Sequence, residues 1–432
     1  MSIPKFIQIH ALTSYPAALL NRDDAGFAKR IPFGGKSRTR VSSQCLKYHW
    51  RNFKGEQALQ DLDVGKSFRS RETLARKLAQ HLVNDGYPEK LVIAAVAALK
   101  ESLLSGKKLS DNDFQKVLNA ETTEELQEVR KSVHTSQLTV FGEPEINYLK
   151  EVVSDKLSHI RENHPEFWTD VSSADKKEIK AVLELLNDYK ENDLKKNLKG
   201  LTLAAGLGAA MFGRMVTSDF LARGDAAVHV AHAFTTHEEE SESDYFSAVD
   251  ELRRDEPEDS GELGAGHINS SELNSGLFYS YVVIDLPLLV SNLEGVSREN
   301  WLEADRSLAA EVLQRMIHLI ATVSPGAKLG STAPYAYAQC VLVEAGNAQP
   351  RSLANAFQKA VTGHGDGILA NSYKALASFL GDMDAMYENT NERKLAAVGP
   401  KEDLLSISGI SSSESLAKIS EWTGTLINPS VS

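Results

Sequence analysis

The hydrophobic pattern of the chain begins with one strand and one helix. Residues 3–13 alternate apolar and polar side chains, which predicts a half-buried strand. A helix is predicted over 42–53, because Leu46, Trp50 and Phe53 share one apolar stripe. These two elements already indicate a fold that mixes helices and strands.

The pattern then changes twice. From about residue 65 to 199 the chain has charged helical segments and few strand signals, with helices predicted at 72–84, 90–104, 144–158 and 174–197. Strand signals return at 276–289 and 339–343, around a predicted helix at 297–322. Strands at both ends with helices between them predict a discontinuous α+β domain.

Composition limits the class of protein. A chain of 432 residues exceeds what one core usually serves, so two or three structural units are expected. Its two cysteines, Cys45 and Cys340, cannot build a disulfide framework, which fits a reducing compartment. The N-terminus does not resemble a signal peptide, and the apolar stretch 201–213 is too short to cross a bilayer. We therefore expect a cytoplasmic protein that needs no membrane and no cofactor.

Positive charge is concentrated in one run. Residues 29–54 hold eight Lys or Arg and no acid, although the whole chain has a formal net charge of -12. Gly34 and Gly35 would let the backbone approach a ligand closely, and Ser42, Ser43 and Gln44 suit phosphates and sugars. A solvated loop and helix face is the alternative for any charge run. The purity of this run favours binding to a nucleic acid.

Negative charge is concentrated in a second run. Residues 237–262 hold twelve Asp or Glu against two Arg. Pro257 and the glycines at 261, 264 and 266 indicate an exposed excursion from the core. Because like charge repels phosphate, we expect its tip to face away from a bound strand.

The common catalytic motifs are not met. Residues 35–37 resemble the end of a P-loop, but Arg30 stands where the first glycine belongs. Gly206 and Gly208 lack the third glycine of a dinucleotide site. No segment resembles the nucleophile elbow of a hydrolase. The sequence predicts no enzyme.

Three histidines could be considered as metal ligands. They are His229, His232 and His237. No acidic residue stands at the spacing of a zinc-binding helix, and 226–236 is apolar enough to be a core element. Structural histidines are the favoured interpretation, with no metal site.

Ordered sequence blocks resemble a known family. Leu-Asn-Arg-Asp-Asp at 20–24 precedes Phe-Gly-Gly-Lys-Ser-Arg-Thr-Arg-Val-Ser-Ser-Gln-Cys-Leu-Lys at 33–47. Further blocks follow at 213–218, 232–237, 274–281, 325–328 and 354–357. Together they resemble the backbone subunit of the type I-E CRISPR Cascade complex, the CasC family. The resemblance spans about residues 3–360 and is carried mainly by these blocks.

The resemblance implies a hand-shaped protein. It implies an RRM-like (ferredoxin-like) palm, a helical fingers insertion and a protruding β thumb. The corresponding ranges are palm 1–58, fingers 59–199, palm 200–236, thumb 237–274, and palm with a C-terminal helical tail 275–432.

The resemblance also implies a function. Several copies would assemble along one CRISPR RNA, each holding the sugar-phosphate backbone, and present the spacer to target DNA in antiviral defence. The expected partners are the CRISPR RNA, further copies of the chain, and the large, small, 5′-handle-binding and repeat-processing subunits of Cascade. Cleavage would be done by a separate recruited helicase-nuclease.

Motif position gives the candidate RNA contacts. Met215 could be a wedge against a displaced base, and a core methionine is an equal alternative. Lys328 is followed by 329–331, where some relatives continue with another basic residue. The full set is Arg22, Lys29, Lys36, Arg38, Arg40, Ser42, Gln44, Lys47, Arg51, Arg214, Met215, Ser218 and Lys328.

Two alternatives stay open at the level of sequence. Backbone subunits of type III effectors cut target RNA with an Asp, and Asp219 or Asp225 could have that role. A monomeric single-strand RNA-binding protein is the other alternative. The order of the sequence blocks favours the Cascade subunit over both.

Overall fold

Eleven strands form two sheets in the part of the chain that the structure describes. A computed structural model describes residues 3–169, 175–189, 191–201, 203, 205–214, 224–248, 267–327, 329–388 and 391–429. The strands are β1 (Phe6–Ala18), β2 (Arg30–Phe33), β3 (Lys36–Val41), β4 (Ser67–Ser70), β5 (Thr139–Gly142), β6 (Val228–Val230), β7 (Ala233–Thr235), β8 (Glu240–Ala248), β9 (His267–Asp285), β10 (Cys340–Gly346) and β11 (Glu392–Ala397).

Helices occupy the long connections. They are α1 (Ser43–Asn52), α2 (Gln80–Asn84), α3 (Glu89–Ser105), α4 (Asp111–Leu118), α5 (Thr123–Lys131), α6 (Glu143–Asn163), α7 (Pro165–Thr169), α8 (Lys176–Asn187), α9 (Glu191–Gly200), α10 (Leu207–Phe212), α11 (Leu286–Glu294), α12 (Ser307–Thr322), α13 (Leu329–Thr332), α14 (Gly367–Tyr387), α15 (Glu402–Leu405) and α16 (Leu416–Ile427). A π-helical turn, Leu74–Ala79, precedes α2. None of the helices that the structure describes is long and apolar enough to span a bilayer.

The chain divides into two compact units. The first contains residues 1–62, 228–287 and 305–432, and the second contains 63–227 and 288–304. The first is built on an antiparallel sheet and the second is mostly helical. The predicted α+β class is therefore confirmed. The finer boundaries of palm, fingers and thumb stay predictions.

The sheet of the first unit has the strand order β11-β10-β1-β9-β7-β3-β2, and β6 and β8 also pair with β9. All these pairs are antiparallel. The centre of this sheet consists of β10, β1 and β9, with β6 and β7 paired to β9. Along the chain, helix α1 follows β1 and helix α12 precedes β10. This order is that of a βαββαβ, ferredoxin-like unit.

Strand β1 is buried on both faces. The apolar residues Ile7 and Ile9 are 0% exposed, and the alternating polar residues Gln8 and His10 are 2% and 1% exposed. The expectation of a half-buried strand was wrong, because a second layer covers the other face. There Leu12 and Tyr279 join a core with α14 and the turn that ends at Phe357.

A buried polar network lies on this second face. His10 Nδ1 bonds the Tyr279 hydroxyl at 2.9 Å, and His10 Nε2 bonds Glu344 at 3.3 Å. Arg393 and Arg351 donate to the Glu344 carboxylate at 2.8 and 3.0 Å. Burial alone would raise the pKa of Glu344, but hydrogen bonds and charge from His10 and Arg351 lower it well below its usual range. In RRM domains this sheet face stacks bases. In this chain it is a filled core.

Two boundaries differ from the sequence prediction. Strand β9 ends at Asp285, and Pro287 lies in the first turn of α11, where a missing N–H costs nothing. Helix α12 begins only at Ser307, whose N–H donates to the Asp305 carboxylate at 2.9 Å. The N-cap position itself is Arg306, which makes no capping side-chain hydrogen bond.

The second unit is organised around α3. Every residue from 91 to 99 in this helix is buried, and it packs against α6 and α8. A helix that is apolar on all sides belongs in a core. The prediction of a helix at 90–104 was close to the observed α3, and the predicted helix at 174–197 is divided between α8 and α9.

Candidate nucleic-acid interface

Helix α1 is fixed at its start by Ser42. The Ser42 hydroxyl accepts a hydrogen bond from the Cys45 N–H at 3.3 Å, and the Ser42 N–H donates to Asn21 Oδ1 at 3.0 Å. Ser42 is 7% exposed. Its first role is to cap the helix, so its predicted contact with RNA stays a prediction.

One face of α1 is buried and the opposite face is open. Leu46 and Trp50 are 6% and 2% exposed and anchor the helix. Gln44 and Tyr48 are exposed, whereas Lys47 and Arg51 are half-buried. Residues at spacings of three and four lie on one helix face. The open face is Gln44, Lys47, Tyr48 and Arg51.

The electrostatics at the start of α1 favour a negatively charged ligand. The first turn of α1 contains no acidic side chain, and the free N–H groups of a helix start attract anions. The Arg51 Nε donates to the Lys47 carbonyl at 3.2 Å, which holds the base of the guanidinium along the helix. The face therefore offers cations and an amide to a phosphate backbone.

The hairpin β2–β3 brings the rest of the basic run beside this helix. Gly34 and Gly35 have φ of +61° and +77°, as a two-residue type I′ turn requires. A Cβ on Gly34 would overlap the carbonyl oxygen of Gln358. The glycines are explained by the turn and by close packing on the protein's own backbone, and not by approach to a ligand.

Arg38, one of the predicted RNA contacts, is buried. It is 0% exposed, and its guanidinium donates to the carbonyls of Thr235 and Thr236 at 2.9 Å each and of Phe357 at 3.0 Å. We assign Arg38 a structural role, because it ties the basic hairpin to β7 and to the turn at Phe357.

Arg214, another of the predicted RNA contacts, is also buried. It lies in the helical unit, where it is 2% exposed and pairs with the buried carboxylate of Glu145 at 2.7 Å. Burial raises the pKa of Glu145, and the charge of Arg214 opposes that effect. Arg214 is thus half of a buried ion pair and not a surface cation. Met215 and Ser218, from the same sequence block, lie outside the described residues.

Lys29, Arg40 and His232 form a basic cluster. Arg40 Nη1 donates to His232 Nδ1 at 2.9 Å. Burial, followed by the charges of Arg40 and Lys29, lowers the pKa of His232. Burial raises the pKa of Cys45, in α1, to about 11, and the charge of Lys29 opposes that rise. The Lys29 N–H donates to the Asn21 carbonyl at 2.9 Å, and the Lys29 carbonyl accepts from the Arg40 N–H at 2.8 Å, so Lys29 lies beside both the hairpin and the residue that holds the start of α1.

Acidic residues reach the other side of the hairpin. Lys36 pairs with Glu238 at 2.9 Å, and both side chains are about half exposed, at 51% and 55%. Arg30 pairs with Glu239 at 2.6 Å and also with Glu272. The first residues of the acidic run thus contact the basic run directly. The tip of that run, expected to face away from a strand, lies outside the described residues.

The remaining predicted contacts divide in two. Arg22 is exposed and bridges to Ala28 across a turn in which Asp23 Oδ1 accepts from the N–H groups of residues 25 and 27. Lys328 lies outside the described residues. The structure therefore places Lys29 and Arg40 at the hairpin and Gln44, Lys47 and Arg51 on α1, which follows it directly, with Arg22 and Lys36 at the surface of the same unit.

The three histidines considered as metal ligands differ in burial. His237 is 3% exposed, donates from Nδ1 to the Glu238 carbonyl at 2.6 Å, and accepts the Leu277 N–H at Nε2 over 3.1 Å. His229 and His232 are exposed. Among the described residues, no group of three or more His, Cys, Asp or Glu is arranged to hold a metal ion.

Comparison with known proteins places the chain in a family. Residues 7–422 match the sequence model of the CT1975-like proteins. The chain belongs to the CT1975-like protein family. No curated protein matches the sequence of this CT1975-like protein.

Solved structures extend the comparison. A chain of a CRISPR RNA-guided surveillance complex in a pre-nicking form is similar to this CT1975-like protein with a TM-score of 0.70 and 25% identity, over 98% of this chain and all of that one. A chain of another CRISPR RNA-guided surveillance complex has a TM-score of 0.62 and 21% identity, over 97% of this chain and 99% of that one. The second likeness concerns the fold alone.

Sequence reasoning missed two surface residues of this CT1975-like protein. Tyr48 is 57% exposed on the open face of α1, and His232 accepts the hydrogen bond of Arg40. The position of Tyr48, four residues after Gln44 on a helix with a known buried stripe, was a usable signal. No local signal placed His232 beside Arg40, because 192 residues separate them in sequence.

Proposed function

We propose that this chain is the CRISPR RNA-binding backbone subunit of a type I-E Cascade complex in the cytoplasm. The observation that carries the proposal is the open face of α1, where Gln44, Lys47 and Arg51 lie opposite the buried Leu46 and Trp50. Lys29 and Arg40, whose backbones are joined by a hydrogen bond of 2.8 Å, extend this surface.

The chemistry of this face suits a guide of any sequence. Lys, Arg and amide side chains contact phosphate and ribose without reading base edges. A subunit that carries different spacers must bind in this way, since base pairing supplies the specificity. The filled core on the second sheet face supports use of the α1 surface instead of base stacking on the sheet.

The assembly role rests on similarity. Nearly the whole chain is similar in fold to a chain of a CRISPR RNA-guided surveillance complex, which supports a role in such a complex. The ordered sequence blocks support type I-E in particular. On this proposal further copies bind along one CRISPR RNA, with the large, small, 5′-handle-binding and repeat-processing subunits, and the spacer pairs with target DNA.

We also propose that the chain binds RNA without cutting it. Of the two acids considered for a type III-like reaction, Asp225 is exposed and only its backbone carbonyl has a described partner, Asn292, at 3.0 Å. Asp219 lies outside the described residues. Cleavage would then fall to a separate recruited nuclease.

Reconstitution tests this function. The full chain is expressed with a repeat-spacer CRISPR RNA and its processing partner, and the mass and RNA content of the purified particle are measured. We expect several copies of the chain on one RNA of defined length, and no shortening of an added target RNA. A monomer that binds any single strand would favour the simple RNA-binding alternative, and cleaved target RNA would favour a type III-like enzyme.

A further inference from the structure

Two tyrosines extend from the segment before β10. Tyr335 and Tyr337 are 75% and 73% exposed, more than any other large apolar or aromatic side chain in the described part of the chain. The residues beside them, Pro334 and Ala336, are buried and half-buried. Two aromatic rings are thus presented to solvent within three residues of one short segment.

The backbone of this segment is held firmly. The Ser324 hydroxyl donates to the Ala336 carbonyl and accepts the Ala336 N–H, at 3.0 Å each. The Ala338 N–H donates to the carbonyl of Ala321 at 2.7 Å. The rings are therefore exposed on a fixed support, so little backbone entropy is lost when they bind a ligand.

The loop that leads to this segment contacts the residues beside the start of α1. The Ala327 N–H donates to the Leu19 carbonyl at 2.8 Å, and two residues later Asn21 accepts from the Ser42 N–H at the start of α1. Residues 19–21 thus lie between the loop that leads to the tyrosines and the helix that presents Lys47.

The stretch of chain that contains the tyrosines carries no negatively charged side chain. Residues 312–343 contain no Asp or Glu, although the chain has 59 of them. No carboxylate of this stretch would repel a phosphate backbone. An exposed aromatic pair in an acid-free stretch beside a basic helix is the combination by which proteins bind single strands.

We infer that Tyr335 and Tyr337 form a stacking platform for unpaired nucleotides of the RNA. This inference rests on the proposed function and adds a second kind of contact to it. Stacking on a tyrosine ring accepts every base, because each base has a π-face. The platform therefore adds affinity that salt does not screen, without choosing a spacer sequence.

The test compares a base-bearing RNA with one that lacks bases. A fluorescently labelled oligoadenylate of about ten nucleotides, within the site sizes of single-strand binders, and an abasic RNA of the same length are titrated with the full chain. Tyr335→Ala with Tyr337→Ala should weaken oligoadenylate binding about tenfold or more. Binding of the abasic RNA and the slope of log K against log salt should not change.

Matched variants control for folding and for exposed aromatics in general. Tyr335→Phe with Tyr337→Phe keeps the rings and should bind as the natural chain does. Tyr387→Ala removes a tyrosine that is 62% exposed at the end of α14 and should have no effect. Circular dichroism confirms that each variant is folded.

Each other result rejects the platform. Equal losses for both RNAs would mean that the rings do not stack on bases. Unchanged oligoadenylate binding, with fewer copies bound to a long CRISPR RNA, would mean that the tyrosines contact a neighbouring copy instead. Lys47→Ala serves as a reference. If neither Lys47→Ala nor the double tyrosine variant changes RNA binding, the proposed function fails. If Lys47→Ala weakens binding and the double tyrosine variant does not, only the platform is rejected.

Discussion

Arg40 donates a hydrogen bond to Nδ1 of His232 at 2.9 Å. A guanidinium can only donate, so Nδ1 is an acceptor and the imidazole is neutral in this arrangement. Burial and the charges of Arg40 and Lys29 lower the pKa of His232. Nδ1 of His232 can take up a proton only after its hydrogen bond from Arg40 is broken. A phosphate that binds Arg40 would break this hydrogen bond and would thereby allow His232 to become protonated.

RNA binding should therefore take up a proton at His232. Its pKa is below the ordinary 6.5 in the free chain, and a nearby phosphate raises it, so affinity should increase as the pH falls from about 8 to about 6. The gain is about tenfold for each unit by which the phosphate raises the pKa. His232→Gln should remove the pH dependence, whereas His229→Gln should keep it. A pH dependence that survives in His232→Gln would reject this coupling.

Lys47→Ala should weaken binding equally for all spacer sequences. Loss of one phosphate contact should also reduce the slope of log K against log salt by about 0.7 to 1. Binding of three unrelated spacer RNAs is measured from low to moderate salt, with Lys418→Ala on α16 as a control of equal charge change. Weaker binding for only one spacer would mean that Lys47 reads bases.

Glu238→Gln should strengthen RNA binding. Glu238 pairs with Lys36 at 2.9 Å and would compete with a phosphate for the same ammonium group. Exposed pairs contribute about 0.3 to 1 kcal/mol, so a two- to fivefold gain in affinity is expected with little change in fold stability. Glu421→Gln, at an exposed position on α16, makes the same change in net charge. An equal gain in RNA affinity in both variants would mean that the effect comes from net charge and not from the pair of Lys36 and Glu238.

Arg38→Ala and Arg214→Ala should each lower the free energy of unfolding. The first leaves buried carbonyls without donors, and the second leaves the Glu145 carboxylate buried without its partner. Removing one partner of a buried ion pair costs about 3 to 5 kcal/mol. Denaturant midpoints should fall in both variants, and Arg214→Met combined with Glu145→Met should recover much of the loss. Full stability with selective loss of RNA binding would restore these arginines as RNA contacts.

Much of the candidate surface was predictable from local sequence. The apolar stripe through Leu46 and Trp50 fixed which face of α1 is buried, and hence that Gln44 and Lys47 face outward. The strands β1 and β10 and the α+β class followed from local hydrophobic patterns in the same way.

The errors arose where distant segments decide burial. Alternation along β3 puts Arg38 and Arg40 on one side of the strand, yet Arg38 is buried and Arg40 is half-buried. The difference depends on the carbonyl of Phe357, 319 residues away, which no local pattern contains. The half-buried prediction for β1 was wrong for the same reason, since its second face is covered by residues beyond 350.

The attachment of the basic hairpin also sets an order for synthesis. Arg38 and Gly34 pack against backbone carbonyls of residues 357 and 358, which leave the ribosome more than 300 residues after the hairpin itself. A nascent chain therefore lacks this second attachment of the hairpin, which adds to its contacts with β7, until about four-fifths of the chain has been made. On the proposed function, the RNA-binding surface is complete only in nearly finished chains, and half-made chains should compete poorly for the guide.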